Sequence, residues 1–290
     1  MGKGDPSEVK QEFVPVELKL WCCRYWQLQR WNCRKHSFPY WRMYWNKNRG
    51  GVLDFQGKEI AMQPGSVYLI PPNTSFASHI QSSRNDFVDY EILGKRVDDF
   101  ENEFELSLQA LLHLYIHFNL GIPYDFVKPG IYTVQLNAFQ VNKLNELAQQ
   151  LRKDNTFDMG SIFKIQSIVM EMLGQSSINF QELSDLDSRV LTVIQYIIQH
   201  IDQNHSNEAL ADIANMAPNS FARLFKQNLK KSVQYFIKEQ KIKMATSFFD
   251  HEDYTIEEVA YRLGFADRYH FSRIFKQIKG MSPGQYVRKE

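Results

Sequence analysis

Residues 221–227 read F-A-R-L-F-K-Q, and residues 271–277 read F-S-R-I-F-K-Q. In each copy two phenylalanines and a branched aliphatic fall on one helical face, while Arg and Lys fall on the other. Each word follows a short amphipathic segment and a turn residue. A chain that repeats this arrangement is constrained to carry two helix-turn-helix units, and two such units imply two reading heads on double-stranded DNA.

The second copy is the more regular. Thr255 is suited to cap a helix with apolar positions Ile256, Val259, Ala260 and Leu263. Gly264 stops that helix, because glycine adopts the left-handed conformation without Cβ strain. Asp267 caps the next helix, whose buried stripe is Phe271, Ile274, Phe275 and Ile278. Its opposite face carries Arg268, Tyr269, Ser272, Arg273 and Lys276, all hydrogen-bond donors of the kind that touch phosphates and base edges. In the first copy Asn207 is the expected cap, Asn215 the left-handed turn residue and Pro218 the first-turn residue. Phe221, Leu224, Phe225 and Leu229 form the buried side, opposite Asn219, Ala222, Arg223 and Lys226. Ala217 stands where the second copy has Asp267, so this helix start is expected to be weaker by roughly 1 kcal/mol. A connecting helix over 233–249 presents Phe236, Ile237, Met244, Ala245, Phe248 and Phe249 to both units. Its rigidity matters because successive major grooves lie about 34 Å apart.

Residues 187–290 resemble the DNA-binding domain of AraC-type bacterial transcription regulators. The stretch A-Y-R-L-G-F-A-D-R-Y-H-F-S-R-I-F-K-Q-I-K-G-M-S-P-G-Q-Y carries the resemblance. It implies that helices over 218–228 and 267–278 enter adjacent major grooves. It further implies base or phosphate contacts from Asn219 and Arg223 in the first helix and from Arg268, Tyr269, Ser272 and Arg273 in the second. The first copy departs from the pattern: Lys230 and Val233 stand where the second has Gly280 and Pro283, and Ala222 is too short to reach a base edge. The second helix is therefore expected to be the stronger reader.

A length of 290 residues suits two domains. Residues 187–290 hold 15 Lys and Arg against 12 Asp and Glu, an asymmetry in the direction DNA binding requires but small. The three cysteines, Cys22, Cys23 and Cys33, are odd in number and two are adjacent, which is no disulfide framework. Reduced thiols and a cytoplasmic location are expected. No apolar run approaches the roughly 18 residues of a membrane span, and no membrane partner is expected.

All five tryptophans fall between residues 21 and 45. Trp41, Met43 and Trp45 alternate with Tyr40, Arg42, Tyr44 and Asn46, which is strand periodicity. Short strands at 51–55, 58–62 and 66–70, punctuated by Gly, Pro and Asn, predict a small barrel or sandwich. The stretch P-G-S-V-Y-L-I-P-P-N-T-S-F, residues 64–76, resembles the second motif of cupin barrels, a fold that commonly serves AraC-type regulators as sensor domain. Metal-binding cupins place a His where this chain has Phe76, and the H-x-H pair of their first motif is absent. No metal and no cofactor are expected. The tryptophans divide between core or dimer surface and the walls of a pocket for a flat or sugar-like ligand. Candidate ligand-binding residues are Tyr40, Arg42, Tyr44 and Phe76, with Arg42 able to donate paired hydrogen bonds to hydroxyls or a carboxylate. Residues 112–120 alternate as a strand, Leu112, Leu114, Ile116 and Phe118 on one side and His113, Tyr115 and His117 on the other. The two histidines lack a third ligand at metal spacing.

Helical periodicity runs through Leu144, Leu147 and Leu151, and again, after the turn D-M-G-S, through Ile162, Phe163, Ile165, Ile168, Val169, Met172 and Leu173. The expected class is α+β with two domains. A cupin-like β-barrel spans 1–136 (1–15 flexible), with flanking helices at 137–175 for dimerisation or barrel packing. A linker at 176–186 leads to an all-α domain with two helix-turn-helix units at 187–290. The expected function is a sequence-specific DNA-binding transcription regulator controlled by a sugar or other metabolite, acting as a homodimer, with RNA polymerase a further candidate partner. The competing reading is a barrel that only dimerises. An enzyme is not expected: cupin oxygenase chemistry lacks its metal ligands, alkyl transfer lacks a cysteine cluster, and no nucleophile–base pair or phosphate loop is present.

Overall fold

The computed structural model describes residues 16–81, 90–153, 156–180 and 186–288. The segment expected to be flexible, 1–15, and residues 181–185 of the expected linker lie outside the described residues.

Among the described residues, nine strands form one antiparallel sheet in the N-terminal half: β1 (Lys19–His36), β2 (Trp41–Asn46), β3 (Gly51–Phe55), β4 (Lys58–Ala61), β5 (Ser66–Ile70), β6 (Phe76–Ile80), β7 (Tyr90–Arg96), β8 (Leu111–Asn119) and β9 (Tyr132–Gln135). Their order is β4-β3-β6-β1-β8-β2-β5-β9, with β7 paired to β1. The sheet curls as a half-barrel. Both faces of its centre are covered, so alternation separates two interiors rather than core from solvent. Trp41, Met43 and Trp45 of β2 join Leu112, Leu114, Ile116 and Phe118 of β8 in one core. That core is closed by α2 (Ala138–Lys153) and α3 (Met159–Gln175), through Leu144, Leu147, Leu151, Ile165, Ile168 and Val169. The other residues of β2 and β8 face the concave side.

β1 holds the sheet together. Its first part pairs with β8, its middle with β7 and its end with β6. Register shifts at Leu20/Cys22 and Leu28/Arg30 bulge the strand and change which residues face which side. Cys23 and Tyr25 accordingly pack toward the helices, whereas Leu28, Trp31 and Cys33 pack on the concave side. A short helix, α1 (Glu103–Gln109), follows β7, and the buried Arg152 of α2 fixes the turn before it. The Arg152 guanidinium donates to the carbonyls of Asp98, Asp99 and Glu101.

The tetrapeptide D-M-G-S is not a turn ahead of α3 but its start. The Asp158 side chain accepts from Ser161 N at 2.8 Å as N-cap, and Met159 opens the helix. The stretch from 176 also packs more closely than a free linker would, since Ile178 is buried in the barrel core with Phe180 against it.

The C-terminal half is helical: α4 (Ser188–Gln199), α5 (Asn207–Ile213), α6 (Pro218–Leu229), α7 (Val233–His251), α8 (Ile256–Arg262), α9 (Arg268–Lys279) and α10 (Pro283–Val287). It has two cores. Val190, Ile194, Leu210, Phe221, Phe225, Phe236 and Ile237 form the first. Ile242, Ala245, Phe249, Val259, Phe271 and Phe275 form the second. The connecting helix α7 gives its N-terminal half to one core and its C-terminal half to the other.

One cap differs from the sequence reading. Ser206, not Asn207, caps α5, its hydroxyl accepting from Ala209 N. The Asn207 side chain instead accepts from Gln234 Nε2 at 3.1 Å and ties α5 to α7. Ala217 caps α6 with no side-chain hydrogen bond, and Asn215 is left-handed at φ 50°. Lys230 ends α6 at φ 57°, in the role that Gly280 fills after α9.

Candidate functional site

The outer faces of α6 and α9 are built as their sequence suggests. Asn219, Arg223 and Lys226 of α6 are exposed, as are Arg268, Tyr269, Arg273 and Lys276 of α9, while Ser272 is half-buried. Thr255 and Glu258 form a reciprocal capping box at the start of α8. Gly264 turns at φ 64°, and Asp267 caps α9 by accepting from Tyr269 N and His270 N. These three local devices fix how α9 leaves α8. Tyr269 is 78% exposed, with the Arg268 guanidinium 5.7 Å from its ring centre. None of the five basic side chains on these two faces joins an ion pair, which leaves them available to phosphates.

The concave side of the half-barrel holds a cavity of about 400 Å³. Tyr40, Arg42, Tyr44 and Phe76 all line it, together with Trp26, Trp31, His113, Tyr115, His117 and Asp250. Arg42 Nη1 donates to Tyr44 Oη at 2.6 Å and Arg42 Nη2 to Tyr40 Oη at 3.2 Å. The guanidinium lies 3.3 Å from the centre of the Phe38 ring. Its Nε is enclosed and has no hydrogen-bond partner. No carboxylate among the described residues lies within ion-pair distance. Burial works against its charge, yet the phenolic oxygens of Tyr44 and Tyr40, with Asp250 beyond them, outweigh that and keep it firmly protonated.

His113 shows what this enclosure does to a titratable group. Its Nδ1 lies 2.7 Å from Asn46 Oδ1, and the rings of Trp31, Tyr44 and Tyr115 surround it. Burial first, and the Arg42 charge second, push its pKa down to about 3. The folded state thus binds the proton more weakly than the unfolded chain, whose histidines titrate near ~6.5. The stability this contributes is complete above that pH and is lost as pH falls from there toward about 3. Denaturant midpoints at pH 7.5, 6 and 5 should fall, and His113→Gln should flatten the decline. Asp125, raised to about 6 by burial, acts in the opposite sense, so the difference between the two proteins isolates His113.

Asp250 lies on α7, so the cavity wall includes a residue of the helical domain. Tyr40 Oη donates to Asp250 Oδ2 at 2.9 Å, and Tyr286 Oη to Asp250 Oδ1 at 2.7 Å. Beside it, His117 Nδ1 of β8 meets His251 Nε2 of α7 at 2.8 Å, across 134 residues of sequence. Trp21 stacks on His251 with ring centres 5.5 Å apart. In the sequence His117 has no further ligand at metal spacing, but His251 and Cys22 approach it in the fold. Neither Asp250 nor His251 carries a local sequence signal for this role.

Residues 210–289 match the family model described as a helix-turn-helix domain. The chain is 24% identical over 243 residues to the arabinose operon regulatory protein of Escherichia coli K12, covering 81% of this chain and 76% of that one. It is 33% identical over 102 residues to the arabinose operon regulatory protein of Salmonella typhimurium, covering 35% of this chain and 36% of that one. Among solved structures, ToxT from Vibrio cholerae O395 bound to (E)-4-(8-methylnaphthalen-1-yl)but-3-enoic acid superposes with a TM-score of 0.52 at 13% identity, covering 93% of this chain and 99% of ToxT. That likeness supports the two-domain fold. With its paired helix-turn-helix units joined to a half-barrel, the chain resembles the AraC-type transcription regulators over about four fifths of its length.

Proposed function

We propose that this regulator is controlled by a small anionic ligand whose acidic group pairs with Arg42 inside the half-barrel. One observation carries the reading. A half-buried guanidinium lines a cavity with no carboxylate at ion-pair distance, Asp250 reaching it only through the Tyr40 hydroxyl, and its Nε lacks a partner, whereas charges withdrawn from water in folded proteins are ordinarily paired. Tyr40 and Tyr44 would orient the acid. Trp26, Trp31 and Phe76 would take a flat or sugar-like body against their faces. The carboxylic acid bound by ToxT is of the same chemical class. Because Asp250 of α7 lines the same cavity, occupancy would bias how the helical domain sits on the barrel, a population shift between DNA-competent and incompetent arrangements. The chain would act in the cytoplasm on double-stranded DNA, with RNA polymerase as a partner and without enzymatic activity. All five tryptophans lie in the barrel half, so intrinsic fluorescence reports on the cavity. Titration with aliphatic, aromatic and sugar carboxylates should give a saturable shift for one class. A flat response across all three, with no response to neutral sugars, would favour the dimerisation-only barrel.

On the DNA side, Asn219, Arg223 and Lys226 on α6 and Arg268, Tyr269, Ser272, Arg273 and Lys276 on α9 are the proposed contacts. Arg273→Ala should weaken binding by roughly 1–3 kcal/mol and relax preference at one base position, if it reads a base edge. Lys276→Ala should weaken binding to all sequences evenly and reduce the salt slope. Competition on randomised DNA over a salt series separates the two effects.

Met159, Phe163 and Met170 of α3 are exposed and share a face, with Phe139 exposed at the start of α2. This apolar stripe supports a homodimer built on the flanking helices. Phe163→Lys should shift the chain from dimer to monomer in light scattering while leaving its circular dichroism unchanged.

A further inference from the structure

Cys22 of β1, His117 of β8 and His251 at the end of α7 bring their ligand atoms within 4.8 Å of one another. Cys22 and His117 are cross-strand partners, so the sheet itself fixes two of the three. The third arrives from the DNA-binding domain. The His251 ring is already oriented. Its Nδ1 lies 2.9 Å from the Ser247 carbonyl, which can only accept, so Nδ1 carries the ring proton. In the neutral ring the Nε2 lone pair is then bare, and it points at His117 Nδ1 from 2.8 Å. A backbone carbonyl that fixes the tautomer of a histidine from behind is the arrangement metal-ligating imidazoles use. Without a cation, only a proton on His117 Nδ1 keeps the two rings from opposing lone pairs.

The donor set of one thiol and two imidazoles selects among metals. Soft sulfur with imidazole suits zinc(II) and copper(I), and neither d10 ion imposes a geometry of its own. Zn–N bonds of about 2.0–2.1 Å and Zn–S bonds of about 2.3 Å put ligand atoms roughly 3.3–3.6 Å apart in a tetrahedral site. The two rings must therefore part slightly and the sulfur close in by at most about 1.2 Å, changes within the reach of side-chain rotation. Charge favours the smaller cation charge: Arg24 and Arg42 act on these histidines, while a bound thiolate returns one negative charge and Asp250 stands beside His251. His117 and Asp250 also line the barrel cavity, which provides an entry path.

We propose that Cys22, His117 and His251 form a site for a thiophilic d10 cation, copper(I) or zinc(II), that bridges the half-barrel to α7. Binding exchanges the Cys22 thiol proton for the metal and releases that proton to solvent, and the His117 ring changes tautomer, its proton moving from Nδ1 to Nε2 so that Nδ1 can bind. The bound ion ties β1 and β8 to the helix shared by both DNA-reading units, so metal occupancy holds one arrangement of the two domains.

The test uses the full reduced chain after chelation. Zinc(II) is titrated against a chromophoric chelator, copper(I) against bicinchoninate without oxygen, and cobalt(II) as a spectroscopic stand-in. Expected are one ion per chain, a change in the fluorescence of Trp21, which stacks on His251, and a thiolate-to-cobalt charge-transfer band. Cys22→Ser should abolish that band, and Cys22→Ser and His251→Gln should each weaken binding by more than about 100-fold, beyond the loss typical of outer-shell changes. DNA binding by both variants serves as the control for folding. The tighter of the two metals identifies the ion. Binding of neither metal overturns the proposal. So does equal affinity in the wild type and His251→Gln, which would place the ion on the barrel cysteines alone.

Discussion

Gly264→Ala should cost the protein about 2–6 kcal/mol and remove binding by the second recognition helix. Two independent penalties add. Gly264 sits at φ 64°, where a residue with a Cβ is strained by roughly 1–3 kcal/mol. A Cβ there would also overlap the backbone carbonyl oxygen of Asp202, in the loop after α4, and relieving such overpacking costs a further ~1–3 kcal/mol. The clash is with backbone, so no rotamer change relieves it. The turn between α8 and α9 must open, and the exposed face of α9 loses its fixed aim. Chemical denaturation should show the drop, and DNA competition should show loss of contacts from Arg268, Arg273 and Lys276 with those of α6 retained. Asn215 makes the equivalent turn in the first unit at φ 50°. As a non-glycine residue it already bears the left-handed conformation, so the two turns should differ sharply in their tolerance of alanine.

Arg42→Met should separate two roles that usually move together. The guanidinium is half-buried, without a carboxylate at ion-pair distance and with its Nε enclosed and unpartnered, so the ligand-free fold bears part of the cost of a buried charge. Methionine fills similar volume and adapts its shape. The variant is expected to keep its stability within about 1 kcal/mol, the two tyrosine hydroxyls losing one partner each. Affinity for a carboxylate ligand, by contrast, should fall by roughly 100-fold, since a charge-assisted pair partly withdrawn from water is worth about 3 kcal/mol. A denaturation curve and a fluorescence titration on the same preparation read both numbers. Strong destabilisation with unchanged ligand affinity would make Arg42 a structural residue.

The two reading units were legible because their determinants are local. Thr255 and Asp267 act within a few residues of themselves, the left-handed turn at Gly264 is local even though its closeness to Asp202 is not, and the stripe Phe271, Ile274, Phe275 needs only helical periodicity. The cap of α5 falls on Ser206, one residue before the cap that residue type suggests, because the side chain of Asn207, an equally good cap by type, is taken by Gln234 on a distant helix. In the half-barrel, alternation correctly sorted Trp41, Met43 and Trp45 from Arg42 and Tyr44. It did not say which set met the cavity, since both faces are buried. β1 escaped a reading altogether: its bulges shift the inward face, so no single period runs from Lys19 to His36. Asp250 and His251 were invisible as site residues because they reach the barrel only through tertiary docking, 210 and 134 residues from Tyr40 and His117.

The most direct test of a coupled sensor and reader is linkage between the two sites. DNA selected from a random pool by the full chain is titrated with protein, with and without a saturating carboxylate from the fluorescence screen. Coupling through Tyr40, Asp250 and α7 predicts that the ligand changes DNA affinity by at least about 5-fold, and that DNA changes ligand affinity by the same factor. It also predicts that Arg42→Met abolishes the change while leaving ligand-free DNA affinity intact. A ligand that binds the cavity and leaves DNA affinity unaltered would contradict the account.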